Sequence, residues 1–146
     1  MERITTLMLL GTALLGGCSE APGVEIGPRG GIVESADGRF TVEIPKGALQ
    51  HETDITVDEV ECEQAKSLGP CYELGPWGLQ LLRPCFVTYA LDAETLDGVD
   101  IEDLSVLTEH EDGWKPLADR DFDAKDAYVT ASAIYLGTYS IVAEIQ

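Results

Sequence analysis

Basic residues are scarce in this chain of 146 residues, where nine Lys and Arg face 27 Asp and Glu and leave a formal net charge of −18. Nucleic acids and anionic lipid head groups bind through clustered positive charge, so the composition argues against both as partners. Disorder is not indicated either, because 45% of the residues are hydrophobic and the acidic residues are dispersed. The acidic balance predicts a solvated surface, with divalent-cation binding as the more specific alternative.

Residues typical of catalytic sites are also few. The chain has two histidines, His51 and His110, each followed by an acidic residue in a polar segment. It has no Gly-x-Ser-x-Gly nucleophile elbow, which is a local signature of serine hydrolases. It has no CxxC pair, and neither histidine lies at ligand spacing for zinc. The sequence therefore predicts a protein that is not an enzyme and that needs no cofactor.

No apolar run reaches the roughly 20 residues that a transmembrane helix needs. One apolar run, from Ile4 to Leu15, follows Arg3 and ends in Leu15-Gly16-Gly17-Cys18. These four residues resemble a lipobox, in which an aliphatic residue and two small residues precede the cysteine that receives a diacylglyceryl group. The resemblance implies that residues 1–17 are a lipoprotein signal peptide and that Cys18 carries the lipid. An ordinary secretory signal is the alternative.

The lipid anchor also predicts a location. In lipoproteins of this kind an aspartate after the cysteine is typical of retention at the inner membrane, and here the residue is Ser19. We therefore expect attachment to the cell envelope through acyl chains such as palmitate, with the outer membrane favoured over the inner membrane. Several acyl chains, each worth about 0.8 kcal/mol per buried CH₂, would hold the protein stably.

The rest of the chain predicts one domain. Removal of 17 of the 146 residues leaves 129, which is enough for one hydrophobic core. Residues 18–29 contain two prolines and two glycines, as a short flexible tether would. Residues 30–146 show eight or nine short strand patterns with Gly or Pro at most junctions, and the one helical candidate runs from Glu94 to Leu104. This pattern predicts an all-β sandwich of mostly antiparallel strands.

Three segments make this prediction specific. Phe40, Val42 and Ile44 alternate with polar residues, which predicts a half-buried strand that ends at Pro45. Residues 85–91 are apolar at nearly every position, which predicts a strand covered on both faces. Asp112-Gly113 lies between two strand patterns and predicts a tight hairpin.

Three cysteines follow Cys18, namely Cys62, Cys71 and Cys85, and they allow three possible single bridges. We favour Cys62–Cys71, because residues 65–70 are typical of a hairpin loop that would bring the two strands together. A bridge across a loop of this length contributes roughly 2.5–3 kcal/mol in the chain-entropy model. Cys85 would then be a buried free thiol within a strand.

Two blocks of sequence resemble one domain family, and both lie between Gly30 and Leu91. The first is a Gly-Gly start followed by a strand that ends in Ile-Pro-Lys-Gly-Ala, and the second is Gly-Pro-Trp-Gly followed by a strand that opens with Arg-Pro. Both are similar to the ZU-five domain of ankyrins, zonula occludens proteins and netrin receptors. The motif residues are Gly31, Pro45, Gly47, Ala48, Gly75, Pro76, Gly78 and Pro84.

The resemblance implies a protein-interaction or scaffold module that binds another envelope protein. The motif residues also have structural roles, because Pro45 ends a strand, Gly47 allows an unusual backbone conformation and Ala48 fits beneath a turn.

Some family members cleave themselves at a His-Phe-Ser tripeptide. His51 and His110 are followed by other residues, so autoproteolysis is not expected.

The segment after Leu117 is the alternative site. Asp119, Asp121, Asp123 and Asp126 alternate as in the start of a calcium loop. The Gly expected at the sixth position is Ala124, however, and the Glu expected at the twelfth is Thr130. These departures favour a solvated hairpin and leave calcium or carbohydrate binding as the alternative function. Two tryptophans that follow turns, Trp77 and Trp114, are expected to cap the open end of the sandwich.

Overall fold

The predicted β-sandwich is confirmed by the computed structural model, which describes residues 23–143. Eleven strands form in that part of the chain and pair antiparallel throughout. Sheet 1 contains, in spatial order, β1 (Val24–Ile26), β4 (Thr53–Val60), β5 (Cys71–Gly75), β11 (Thr138–Ala143), β7 (Leu104–His110) and β8 (Gly113–Pro116). Sheet 2 contains β2 (Gly31–Glu34), β3 (Phe40–Ile44), β6 (Gln80–Ala90), β10 (Tyr128–Tyr135) and β9 (Ala118–Asp123).

Alternate side chains of each sheet form the core. Strand β3 buries Phe40, Val42 and Ile44, each no more than 1% exposed, and turns Glu43 to solvent. Pro45 follows the strand directly, as predicted, because a proline has no N–H to donate to a ladder. The sandwich therefore follows from the period-2 pattern that the sequence shows.

The prediction that residues 85–91 are covered on both faces is wrong. In β6 the side chains of Cys85, Val87 and Tyr89 are buried, whereas Phe86 between them is 41% exposed. Phe86 pairs with Glu43 on one side and Ser132 on the other, on the outer face of sheet 2. An antiparallel sheet can leave one face open to water, so an apolar residue there does not require a covering layer.

Two strands were not predicted. Strand β1 lies within residues 18–29, which were predicted to be a tether, and pairs with β4 at the edge of sheet 1. Strand β9 has every residue exposed and pairs with β10 at the edge of sheet 2. Backbone hydrogen bonds hold β1 and β9 at the sheet edges, where few side chains need to be apolar. Hydrophobic periodicity in the sequence therefore does not reveal these two strands.

The predicted helix from Glu94 to Leu104 is also wrong. The segment forms consecutive turns and a short 3-10 helix, Ile101–Asp103. The Asp92 carboxylate accepts a hydrogen bond from the backbone N–H of Thr95 at 2.7 Å and starts the first turn. Gly98 has a φ of +74°, a conformation that interrupts a helix.

Four aromatic rings lie between the sheets. Phe40 of β3 stacks on Tyr72 of β5 with ring centres 4.8 Å apart, and Tyr89 of β6 packs edge-on against Phe40 at 4.9 Å. Tyr139 of β11 lies 5.9 Å from Phe40. These rings are at most 2% exposed, so each sheet contributes large apolar area to one shared cluster.

The hydroxyls of these tyrosines differ in their partners. The Tyr72 hydroxyl donates to Asp37 Oδ2 at 2.5 Å, and the Tyr139 hydroxyl donates to the Tyr135 carbonyl at 2.5 Å. The Tyr89 hydroxyl is buried and has no hydrogen-bond partner among the described residues. Burial, with smaller effects of neighbouring groups, raises the Tyr89 pKa well above its ordinary value. The phenol therefore stays neutral and unpaired.

We predict that Tyr89→Phe stabilises the domain, because it removes a buried hydroxyl whose lost hydration costs about 1–3 kcal/mol. Tyr72→Phe is the matched control, since it breaks a hydrogen bond to a carboxylate and should lower the free energy of unfolding by about 1.5–3 kcal/mol. Urea denaturation of both variants measures the difference. A Tyr89→Phe variant as destabilised as Tyr72→Phe would contradict the assignment of an unpaired hydroxyl.

Asp37 connects the turn after β2 to the aromatic cluster. Burial alone would raise its pKa, but hydrogen bonds from Ser35 Oγ, the Tyr72 hydroxyl and the Arg39 N–H outweigh it and hold the pKa below its ordinary value. A carboxyl with a depressed folded-state pKa stabilises the fold above its unfolded pKa of about 3.9. That contribution disappears as the pH falls through the folded-state value.

The pH dependence of stability tests this role. We expect the free energy of unfolding of the unsubstituted chain to exceed that of Asp37→Asn at neutral pH, and the gap to narrow below about pH 4. Chemical denaturation at a series of pH values between neutrality and strong acid gives the gap directly. A gap that is constant with pH would show that the ionised carboxylate has no role here.

Candidate functional site

A groove of about 610 Å³ opens where the turn between β7 and β8 lies beside the end of β10. This volume falls within the roughly 300–1,000 Å³ that is usual for ligand pockets. We call it the aromatic groove and define it by its apolar side chains, which are Trp77, Pro84, Pro116, Leu117, Ile134 and Tyr135.

The large side chains of the aromatic groove are open to solvent. Trp77 is 55% exposed, Tyr135 is 46% exposed and Ile134 is 36% exposed. Scattered apolar residues are normal on a surface, and several that share one groove make this groove the candidate contact site. Aromatic side chains are also the residues that contribute most to binding at protein interfaces.

Trp77 is held in a fixed position. Its Nε1 donates a hydrogen bond to Thr138 Oγ1 at 3.3 Å, and its ring lies over Gly137. A Cβ on Gly137 would lie 3.7 Å from Trp77 Nε1, which is an ordinary van der Waals distance, so the ring packs beside this glycine without requiring it. Trp77 covers this end of the sandwich only in part, because more than half of its surface remains exposed.

The turn that carries Trp77 is fixed to the end of β10 through the backbone. The Gly78 N–H donates to the Leu136 carbonyl at 2.6 Å, and the Leu136 N–H donates to the Leu79 carbonyl at 2.9 Å. The Leu74 N–H donates to the Gly137 carbonyl at 2.8 Å. The predicted motif residues Gly75, Pro76, Gly78 and Pro84 therefore lie at or near the aromatic groove, and Gly78 and Pro84 line it.

The other motif residues do not line the groove. Gly31 begins β2, and Pro45, Gly47 and Ala48 form the turn after β3, where Gly47 has a φ of +86°. The Ala48 side chain is fully buried, and its carbonyl accepts a hydrogen bond from the Leu82 N–H at 2.9 Å. These positions have the structural roles that the sequence predicts.

Acidic side chains form one rim of the aromatic groove. Glu109, His110, Glu111 and Asp112 line it at the end of the β7–β8 hairpin. The predicted hairpin is confirmed, with Gly113 at a φ of +116° and Lys115 Nζ 3.9 Å from Asp112 Oδ2.

A second, more polar hollow of about 310 Å³ adjoins the groove and shares Glu109 with it. We call it the acidic hollow, and its lining residues are Val60, Glu61, Glu63, Glu73, Glu109, Trp114 and Thr138. Trp114 therefore lies beside the hollow. Sequence patterns did not predict this site, because its residues come from five separate segments.

Ser132 and His110 both line the aromatic groove. A hydrolytic triad needs a serine hydroxyl that donates to an imidazole. Ser132 Oγ donates instead to Asp119 Oδ2 at 2.8 Å and fixes an irregularity between β9 and β10. This hydrogen bond joins β9 to β10, so Ser132 has the geometry of a residue that stabilises strand pairing.

Three of the four predicted metal ligands, Asp119, Asp121 and Asp123, accept local hydrogen bonds with their carboxylates, and Asp126 donates its backbone N–H. Asp119, with a φ of +54°, accepts the hydrogen bond from Ser132, and Asp121 accepts one from the Phe122 N–H. Asp123 Oδ1 accepts hydrogen bonds from the N–H groups of Lys125 and Asp126 at the β9–β10 turn. Among residues 23–143, no group of three or more His, Cys, Asp or Glu is arranged to hold a metal ion.

The predicted disulfide is confirmed. Cys62 and Cys71 are bonded, with their Cα atoms 5.0 Å apart, and they close the loop between β4 and β5. Cys85 is a buried free thiol in β6, and burial raises its pKa to about 12. It stays protonated at physiological pH and is shielded from reaction.

Comparison with protein-family models and with curated proteins finds no match to this chain. Residues 23–143 contain no helix with the length and apolar character needed to cross a membrane. Cys18 and the predicted signal peptide, residues 1–17, lie outside the described residues.

We predict that millimolar calcium leaves the melting temperature unchanged, because the four aspartates of the β9–β10 hairpin do not converge. A ligand at 100 times its Kd would add about 2.7 kcal/mol to the stability. Calorimetric melts with calcium chloride, and with EDTA as the control, measure the shift. A calcium-dependent rise that Asp121→Asn and Asp123→Asn abolish would establish a site here.

Proposed function

We propose that this chain is a lipid-anchored lipoprotein of the cell envelope, whose non-catalytic β-sandwich is a protein-interaction module. The aromatic groove is the proposed contact site. This groove carries the proposal, because Trp77, Ile134 and Tyr135 expose large apolar area on a surface whose backbone is fixed. Because this surface is already ordered in the free protein, little conformational entropy is lost when a partner binds to it.

The chemistry of the groove favours a protein partner. Trp and Tyr are enriched among residues that contribute most to binding, because each buries large area at a small cost in side-chain entropy. A polar rim around an apolar centre is the usual anatomy of an interface. The aromatic groove has this arrangement, with Glu109, Glu111 and Asp112 on its rim.

The proposed lipid anchor favours a partner that is also in the cell envelope. Val24, where β1 begins, is the sixth residue after Cys18. At roughly 3.3–3.6 Å per residue, the connection reaches at most about 22 Å from the lipidated cysteine. The domain would stay close to the membrane, where other envelope proteins are concentrated. We place it at the outer membrane, because Ser19 follows the cysteine.

The resemblance to the ZU-five domain supports the same class of function, since that domain is an interaction module in ankyrins and netrin receptors. A carbohydrate ligand is the second candidate, because exposed aromatic rings beside carboxylates also suit the apolar faces and hydroxyls of a sugar. Trp77 and Tyr135 would then stack on the sugar rings. A glycan array probed with the full mature chain distinguishes this ligand from a protein.

The first test is crosslinking in cells, followed by mass spectrometry of proteins captured with the full chain. We expect one envelope protein to be captured with the unsubstituted chain and lost with Trp77→Ala/Tyr135→Ala. Truncating two such contact residues costs about 2 kcal/mol or more, which is at least about thirtyfold in affinity. Cys18→Ala should abolish membrane attachment and reduce the capture.

Ile32→Ala is the matched control, because Ile32 is 63% exposed on β2 and does not line the groove. It should leave the capture unchanged. Capture that survives loss of both groove aromatics, or that Ile32→Ala reduces equally, would contradict the proposed contact site.

A further inference from the structure

Among the described residues, the aromatic groove and the acidic hollow are lined by several carboxylates, by the imidazole of His110 and by no Lys or Arg. The six carboxylates that line them are Glu61, Glu63, Glu73, Glu109, Glu111 and Asp112. No Lys or Arg lines either surface within the described residues. Lys115 is next to the rim and exposed, and it lies 3.9 Å from Asp112.

Six carboxylates gathered along these two surfaces give this end of the sandwich a negative potential. Carboxylates along one surface repel one another, and near a protein surface such interactions are stronger than in bulk water. Within residues 23–143, the ion pairs are Arg39 with Asp92 and Lys115 with Asp112. The other five carboxylates of the two surfaces have no such pair with a residue of that range, so a cationic partner would meet negative charge that these residues leave unpaired.

An apolar surface and an acidic surface adjoin at this end of the sandwich. The aromatic groove and the acidic hollow meet at Glu109, which lines both. An extended peptide rises about 3.3 Å per residue, so nine residues span about 30 Å. A peptide that crosses Glu109 could therefore reach both surfaces, with apolar side chains in the groove and basic side chains on the carboxylates.

We infer that the partner binds through an extended segment in which Lys or Arg residues flank apolar residues. The apolar side chains pack on Trp77 and Tyr135, and the basic side chains contact Glu109, Glu111, Asp112 and the acidic hollow. This inference rests on the proposed function and adds the chemistry of the partner. Attraction between unlike charges should accelerate binding and make it depend on salt.

The probes are three labelled nine-residue peptides, acetylated and amidated at their ends. The first repeats Lys-Leu-Gly three times, the second replaces Lys with Glu, and the third replaces Leu with Ser. Fluorescence polarisation measures their binding to the full mature chain in nanodiscs of zwitterionic lipid, and empty nanodiscs measure binding to the lipid. We expect the Lys-Leu-Gly peptide to bind most tightly and the Glu peptide not to bind.

The variant Glu109→Gln/Glu111→Gln/Asp112→Asn tests where the peptide binds. The loss of three exposed ion pairs should lower the affinity for the Lys-Leu-Gly peptide by about tenfold. The control Glu25→Gln/Glu34→Gln/Glu94→Gln removes the same charge from exposed positions that line neither surface. It should change the affinity by less than about twofold if general attraction is screened by 0.15 M salt.

Equal weakening by the two triple variants would show that net charge, and not this surface, attracts the peptide, and would overturn the inference. Equal binding of the Lys and Glu peptides, or no binding of either, would overturn it as well. The proposed function fails separately, when Trp77→Ala/Tyr135→Ala does not change capture in cells. A third outcome is that capture in cells depends on Trp77 and Tyr135 but the chain does not prefer the basic peptide. That outcome would support the groove as an interface and would reject a basic partner.

Discussion

Phe40 of sheet 2 stacks on Tyr72 of sheet 1 with ring centres 4.8 Å apart, and the packing of the two sheets is organised around this contact. Tyr89 and Tyr139 complete the cluster from opposite sheets. The tyrosine hydroxyls carry polar groups into the core, where an unpaired group is costly, and those of Tyr72 and Tyr139 have partners. Through these partners the cluster is joined to two distant turns, one that contains Asp37 and one that follows Tyr135.

The second of these connections links the core to the proposed interface. Tyr139 is fully buried, and its hydroxyl donates to the carbonyl of Tyr135, whose ring lines the aromatic groove. Backbone hydrogen bonds between residues 74–79 and 136–137 then hold Trp77 beside that ring. The groove is thus fixed by the same contacts that join the sheets. A site supported in this way is preformed, which reduces the entropy lost on binding.

Much of the fold could be predicted from local patterns, whereas the groove could not. Three predictions that depend only on neighbouring residues are confirmed. They are the alternation of β3, the turn at Asp112-Gly113 and the loop between Cys62 and Cys71. Strands β1 and β9 depend on pairing at sheet edges, so their composition did not reveal them. The groove joins side chains that are far apart in sequence, and only the sheet order brings them together. The two successive apolar residues Ile134 and Tyr135, which break the alternation of β10, were the available sequence signal.

The central claim is that the aromatic groove is where this protein contacts its partner, and site-specific photocrosslinking in cells tests it most directly. Benzoylphenylalanine replaces Tyr135 in one strain and Ile32, on the remote edge strand β2, in another. We predict that the probe at Tyr135 crosslinks to one envelope protein through a segment rich in Lys or Arg, and that the probe at Ile32 does not. Crosslinks to the same protein from Ile32 alone, or none from Tyr135, would contradict the account.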